Sequence, residues 1–402
     1  MAKSPIFAGL DIGTSSIKML VAAQKEEDGS FEIIFKSQEP SFGVRRGVVV
    51  DTDKVTRIIQ ILLEKTRAEI GRKINSVSVN IGGSHLFCAF SRGTIAISRA
   101  DQKVSEEDVK RVLQAAETLS FPPNKEIIQV FPREFIVDGE GGVPFKEVVG
   151  MHGVRLEVEV MVLGGFSPYK KNLTQAVLDS DIQQVDLIPS VLASSSAVLT
   201  SRQKESGVAL LDIGAGTTEL AVFEEGDLVH LAIFPVGSSN ITNDIAIGLK
   251  TDIDTAERIK KEYGRCLFKG KDKKEKIENE EEILVFSEKM LVKIIEARIC
   301  QIFREAQKEL KKIQKQGLLP AGIVLTGGGA KLPMILDLAK KEFKLPCKIG
   351  KPLGFSGQDD DPTFATACGL MLKAAETDKR IVSIGPGNFW QKIKSFFKSL
   401  IP

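Results

Sequence analysis

The sequence predicts an α/β protein of two related lobes, with a small α+β subdomain inserted in the first. One observation is a repeat. Residues 10–22 read LDIGTSSIKMLVA and residues 211–223 read LDIGAGTTELAVF, half a chain apart. Each copy is an apolar run, Asp-x-Gly, a cluster of Gly, Ser and Thr, and a second apolar run. That pattern is a strand, a small-residue turn and a returning strand. The other observation is that each copy is followed by a turn signal, a third strand-like run and a helix-like stretch. A mixed sheet covered by helices buries such elements in each lobe. Two facing small-residue hairpins then point to a ligand between the lobes.

In the first half, Glu27-Asp28-Gly29-Ser30 marks the turn and FEIIF the third strand. Residues 51–71 carry helical periodicity, with Val55, Ile58, Ile59, Leu62 and Leu63 on one face. Residues 84–165 have no counterpart in the second half. There a helix, VSEEDVKRVLQAAETL, lies between strand-like SHLFCAFSRGTIAIS and VRLEVEVMVLG. Ser105, with Asp108 three residues on, forms the pattern of a capping box with an acidic partner. In the second half, Glu225-Gly226-Asp227 and LVHLAIF repeat the turn and strand, and Asn240 or Thr242 is placed to cap ITNDIAIGL. A second insertion, 237–305, contains the charge-rich run KGKDKKEKIENEEE (269–282), which reads as a solvated loop or helix face.

Length and composition narrow the classes. The 402 residues allow two to four domains. Lys+Arg is 55 against 53 Asp+Glu, so no overall basic field suits a nucleic-acid partner, and none is expected. An apolar share of 43% is that of a globular chain. The five cysteines have no CxxC-like spacing, which fits reduced thiols in a cytosolic protein. With three histidines, a His/Cys zinc site is not expected. No apolar run reaches the roughly 18 residues of a spanning helix, and MAKSPIFAGLDIG lacks the pattern of a signal peptide.

The hairpin turns carry phosphate chemistry. Glycine lets backbone N–H groups approach an anion, and Ser/Thr add hydroxyl donors. Gly13, Thr14, Ser15 and Ser16 supply one set, with Lys18 as a point charge. Gly214, Ala215, Gly216, Thr217 and Thr218 supply the other. Asp11 and Asp212 can hold Mg²⁺ through its waters, since that ion sheds water reluctantly. A third piece, IVLTGGGAKLPMI (323–335), is a strand, then Gly327, Gly328 and Gly329, then a helix start, suited to a flat ring or a phosphate. No GxxxxGK[ST] is present, and the second turn fails GxGxxG at Glu219. Together these pieces predict nucleotide binding.

At the C-terminal end the apolar pattern stops near Ala375. Residues 376–380 and Ile384-Gly385-Pro386-Gly387 read as a linker. NFWQKIKSFFKSLIP follows, with Asn388 placed as a cap. Phe389, Trp390 (the only tryptophan), Ile393, Phe396, Phe397, Leu400 and Ile401 fill an apolar arc of about 140°. Lys392, Lys394 and Lys398 border or oppose that arc. This is the pattern of an interfacial helix whose aromatics insert among headgroups while its lysines attract anionic lipid.

LDIGTSSIK, LLDIGAGTTELAV and GIVLTGGGAKLP look like the two phosphate motifs and the adenosine motif of the actin/Hsp70/sugar-kinase superfamily. The 84–165 insertion, with SRGTIAIS, PVGSSNITNDIAIGL and TAERIKKEYG, resembles the FtsA family of bacterial cell-division actins over about 6–375 plus the tail. The resemblance implies an actin-like two-lobe fold with duplicated βββαβα (RNase H-like) cores. Its subdomains are 1A (1–83, 166–206, 360–380), the inserted 1C (84–165), 2A (207–236, 306–359) and 2B (237–305). A linker (381–387) and an amphipathic membrane helix (388–402) follow.

The resemblance also implies ATP and Mg²⁺ between the lobes, with Glu257 and Lys260 facing the adenosine. It implies filaments on the cytoplasmic face of the cell membrane at the division site, with anionic lipid, FtsZ and later division proteins as partners. The FtsZ C-terminal peptide would dock on 2B near Glu296 and Arg298. No catalytic residue is assigned. The segment Ile188–Leu199, where related ATPases carry a water-orienting Gln or Glu, offers no carboxylate or carboxamide. The expectation is therefore tight nucleotide binding with slow hydrolysis. The alternative is a PilM-like platform for pilus assembly, against which the terminal amphipathic helix argues. A metabolite kinase would need an acidic base in the first lobe, for which the connecting segment has no candidate.

Overall fold

The computed structural model describes the chain except residues 1–3, 26–28, 99, 119–120, 144, 279–282, 357–360 and 384–402. The expected terminal helix lies outside the described residues, and with it Phe389, Trp390, Lys392, Ile393, Lys394, Phe396, Phe397, Lys398 and Leu400.

The first lobe begins with the hairpin β1 (Ile6–Ile12) and β2 (Ser16–Gln24), extended by β3 (Phe31–Pro40). A short ribbon, β4 (Val44–Arg45) and β5 (Val48–Val49), leads to helix α1 (Thr52–Ile70). The Asp51 side chain caps α1 by accepting from the Lys54 N–H, and Gly71 ends it at φ 65°. Its face of Val55, Ile58, Ile59 and Leu62 is buried in the first-lobe core. Strand β6 (Ser76–Ile81) then pairs parallel to β1.

The inserted subdomain runs through β7 (Phe87–Ala96), α2 (Glu106–Glu117), β8 (Lys125–Val137), β9 (Glu140–Val143), α3 (Phe145–Val148) and β10 (Arg155–Phe166). Its sheet order is β7-β10-β8-β9. The capping box at Ser105 is formed, with Ser105 and Asp108 each accepting the other's backbone N–H. Val109, Val112 and Ala116 of α2 join Val158, Val160 and Val162 of β10 in a separate core.

Helix α4 (Ser167–Leu178) and β11 (Gln184–Pro189), parallel to β6, complete the first lobe. Helices α5 (Ser190–Val198) and α6 (Ser201–Ser206) cross to the second lobe. There β12 (Val208–Ile213), β13 (Thr218–Glu224) and β14 (Asp227–Phe234) repeat the opening meander. Next come α7 (Ser238–Leu249), α8 (Ile253–Tyr263), the ribbon β15 (Lys274–Glu278) and β16 (Ile283–Ser287), and α9 (Glu288–Lys312). Strand β17 (Ile323–Thr326), α10 (Ile335–Phe343) and β18 (Cys347–Ile349) finish the lobe. The chain returns through β19 (Phe355–Ser356) and α11 (Ala365–Ser383).

The repeat is structural. The first lobe orders its strands β3-β2-β1-β6-β11 and the second β14-β13-β12-β17-β18, with matching antiparallel and parallel senses. Helix α11 packs on β1 and α5. A Cβ on Gly369 would stand 1.7 Å from the Ala193 carbonyl oxygen, so only glycine lets these two helices meet so closely.

Three local readings change. Helix α7 starts at Gly237, with the Asn240 side chain accepting the Gly237 N–H, so Asn240 reaches back from inside the helix. The charge-rich run is part strand: Lys274–Glu278 pairs with β16, Ile277 is buried, and Tyr263 meets Phe286 edge-on at 5.5 Å. Pairing with β16 and the burial of one apolar residue, Ile277, outweighed the local charge pattern. Finally, β19 adds to β3 of the first lobe, and α11 runs through Ser383, into the stretch read as linker. Among the described residues no helix is long and apolar enough to cross a membrane.

Candidate functional site

Two hairpin turns face each other across a cleft of about 850 Å³. The Gly13 N–H donates to Ser16 O at 3.1 Å, and the Gly214 N–H donates to Thr217 O at 2.9 Å. The repeat thus extends to the turn hydrogen bond. The turns nearly touch: a Cβ on Gly216 would meet Thr14 Oγ1 at 2.7 Å. Thr14 Oγ1 also accepts the Gly47 N–H at 2.9 Å, which ties the first turn to the β4–β5 ribbon.

Asp11, Gly13, Thr14, Ser15, Ser16 and Lys18 line the cleft from the first lobe. Asp212, Gly214, Ala215, Gly216 and Thr217 face them from the second, with Gly327, Gly328 and Gly329 along the rim beyond β17. Glu257 and Lys260 of α8 close one side. Thr218 is the exception. It is fully buried, and its hydroxyl donates to Val236 O at 2.8 Å, so it faces the second-lobe interior and not the cleft.

Lys18 Nζ donates to Asp11 Oδ2 at 2.9 Å. The Asp212 carboxylate accepts from Thr366 Oγ1 at 3.4 Å. Burial, and then the negative charge of Asp11, push Asp212 up to about 6, against the Ser194 and Thr366 hydrogen bonds. At the rim, Lys260 Nζ reaches Glu257 Oε2 at 2.6 Å, Thr242 Oγ1 at 2.8 Å and Ser238 O at 3.3 Å. Burial lowers the Lys260 pKa. Burial works to raise Glu257, but the hydrogen bonds from Lys260 and Thr242 outweigh it and hold that carboxyl low. This is a part-buried network that joins α8 to α7, not an exposed i,i+3 pair.

The cleft contains groups that motif reading passed over. Asn80 closes the floor: its Oδ1 accepts the Ile12 N–H at 2.7 Å, and its Nδ2 donates to Ser190 Oγ at 3.4 Å. Glu219 lies there too, 6% exposed, with Oε2 accepting the Val191 N–H at 3.1 Å. Burial, then the charge of Asp212, push Glu219 up to about 8. The absence of an acid or amide from Ile188–Leu199 holds for the segment but not for the site, because β13 delivers a carboxylate to the start of α5. The repeat contained the signal. Lys18 pairs with Asp11 across β1–β2, and Glu219 holds the same place opposite Asp212 across β12–β13.

The two expected partner residues, on α9, are not among those lining this cleft. Arg298 Nε and Nη2 donate to the two carboxylate oxygens of Asp244 on α7, at 2.6 and 2.7 Å. Glu296 Oε1 lies 3.8 Å from Lys341 Nζ on α10.

Comparison with known proteins agrees in both sequence and shape. A family model described as "Cell division protein FtsA" matches residues 209–369, and one described as "SHS2 domain inserted in FTSA" matches residues 83–163. Cell division protein FtsA of Pseudomonas aeruginosa is 34% identical over 91% of this chain and 88% of its own length. The Bacillus subtilis FtsA is 33% identical over 92% and 84%, and the Escherichia coli FtsA is 30% identical over 98% and 97%. Among solved structures, a PilM-PilN type IV pilus biogenesis complex superimposes with a TM-score of 0.68 at 18% identity, covering 92% of this chain and 98% of that one. MreB5 of Spiroplasma citri bound to AMPPNP gives 0.58 at 14%, covering 95% and 99%. The inserted four-stranded sheet, the duplicated lobes and the sequence match over nine-tenths of the chain lead to one conclusion: the chain has the actin-like fold and belongs to the FtsA family of cell-division proteins.

Proposed function

We propose that this chain binds ATP with Mg²⁺ between its lobes, polymerises on the inner face of the cell membrane, tethers FtsZ there and recruits later division proteins. The observation that carries the reading is the pair of facing turns, each closed by the same backbone hydrogen bond, with an aspartate at the end of each leading strand. Free N–H groups of two such turns suit a polyphosphate. Lys18 can turn from Asp11 toward it, and Glu257 and Lys260, which line one side of the cleft, would face the ribose and base. MreB5, of the same fold, was solved with a nucleotide analogue.

The acids present fit Mg²⁺. Asp212 is buried beside Asp11, and added positive charge offsets that crowding. Among the described residues no three or more His, Cys, Asp or Glu side chains form a metal cage. Two carboxylates, completed by water and phosphate oxygens, are the set Mg²⁺ uses. When bound, the ion would neutralise phosphate charge.

Titration of the purified chain with a fluorescent ATP analogue, with and without Mg²⁺, tests the reading. Saturable, Mg²⁺-dependent binding is expected, together with filaments on a lipid monolayer that recruit FtsZ. No binding at millimolar ATP would remove the nucleotide reading. The PilM neighbour shares the fold alone, and the sequence relatives favour division over pilus assembly.

A further inference from the structure

Glu219 is a buried acid in a cleft built for anions. Across its hairpin it pairs with Asp212, so both side chains project from one face of the sheet into the cleft. Lys18, at the matching place in the first hairpin, carries the charge a phosphate wants; Glu219 is an acid. Among the described residues Glu219 has no cationic partner. In the empty cleft burial and the charge of Asp212 favour its protonated form, and positive charge brought in beside Asp212 would relieve that repulsion and favour the carboxylate, which is not a group that grips phosphate.

Glu219 Oε2 accepts the Val191 N–H in the first turn of α5, and the Gly83 N–H also donates to the carboxyl group, which together fix the side chain. Oε1 lies beside Gly82: a Cβ there would stand 2.7 Å from Oε1 and 2.4 Å from Ser190 Oγ. Glycine therefore keeps the space next to Oε1 and Ser190 Oγ clear, and Gly82, Ser190 and Glu219 all line the cleft. The result is an oriented acceptor with a hydroxyl beside it, at the head of the helix that brings no acid or amide of its own.

Building on the ATP-binding reading above, we propose that Glu219 holds the water that attacks the terminal phosphate of bound ATP and accepts its proton. The water oxygen bonds to the γ-phosphorus as the bond from that phosphorus to the β–γ bridging oxygen breaks. ADP departs with that electron pair, and the water's proton passes to Glu219 and on to the phosphate product or solvent. The reaction stays slow when measured against typical enzymes, but what hydrolysis occurs runs through this residue.

The test compares the full chain with Glu219→Gln, which keeps the size and one acceptor oxygen for a backbone N–H but is a far weaker base; melting of the variant near the parent confirms that the site is intact. ATP affinity and single-turnover hydrolysis of γ-labelled ATP with Mg²⁺ are measured on both. The expected result is affinity within about threefold of the parent and a hydrolysis rate lower by about 100-fold or more. Hydrolysis by the variant at the parent rate overturns the assignment, as does a parent that binds ATP and never cleaves it. Affinity falling in step with rate overturns it too, because the residue is then structural. In all three cases ATP binding by the parent stands. A parent that binds no ATP sinks both readings at once.

Discussion

Thr218 and Glu219 are neighbours with opposite fates, and strand parity decides between them. Successive side chains on a strand point to opposite faces. Asp212 and Glu219 are cross-strand partners and share the cleft face; Thr218, one step away, turns inward to Val236 O. A motif read as a string of donors misses this alternation. Lys204 on α6 makes a second case at this scale. It is buried, with its ammonium 5.2 Å from the Phe223 ring centroid. Burial, then the charge of Lys373, lower its pKa from 10.5 to about 8. The unfolded chain keeps this proton to higher pH than the folded one, so stability rises with pH between about 8 and 10.5. Lys204→Met is expected to raise stability at pH 7 by up to about 3 kcal/mol and to flatten that rise. Urea midpoints at pH 7 and pH 10 check it. A less stable variant at pH 7 would mean that the contact with Phe223 outweighs the burial.

At the scale of elements, Arg298 shows how packing reassigns a surface residue. Its fork grips Asp244 across α7 and α9, with both side chains about one-quarter exposed. Arg298→Glu sets two carboxylates face to face and loosens the helix pair, so lost FtsZ capture by that variant mixes docking with stability. The reversed pair, Asp244→Arg with Arg298→Asp, restores the ion pair and inverts the surface charge. It is expected to melt near the parent while the single change costs about 1–2 kcal/mol. Capture of an FtsZ C-terminal peptide should remain lost in the reversed pair. Capture that returns with stability would remove Arg298 from the docking surface.

The whole molecule is two copies of one sheet, with α5 packing on β12 and β13 of the second and on α11 of the first, and with β14 meeting β7 and β8 of the inserted subdomain. Because both turns contribute to one cleft, a ligand bound there would add a further link between the lobes. The tail belongs to this scale as well, since it would set where the body resides. A chain cut before Gly385 is expected to leave ATP binding intact and to abolish co-sedimentation with anionic vesicles. Pelleting of the shortened chain would show that the anchor lies elsewhere.

The sequence by itself determined the duplication, the inserted subdomain and the two turns with Asp11 and Asp212. These are local patterns of period-2 strands and small-residue turns, and repetition at half the chain length raised them above noise. The Ser105 cap and α1 were legible for the same reason, since their partners lie within four residues. Tertiary structure alone decided that Glu219 and Asn80 meet at the head of α5, that Ile277 turns a charged run into a strand, that β19 returns to the first lobe and that Asp244 holds Arg298. Apart from the local β15–β16 pairing of Ile277 with Leu284, each of these depends on partners tens to hundreds of positions apart. Such contacts form only after the chain closes on itself, and no local spacing records them.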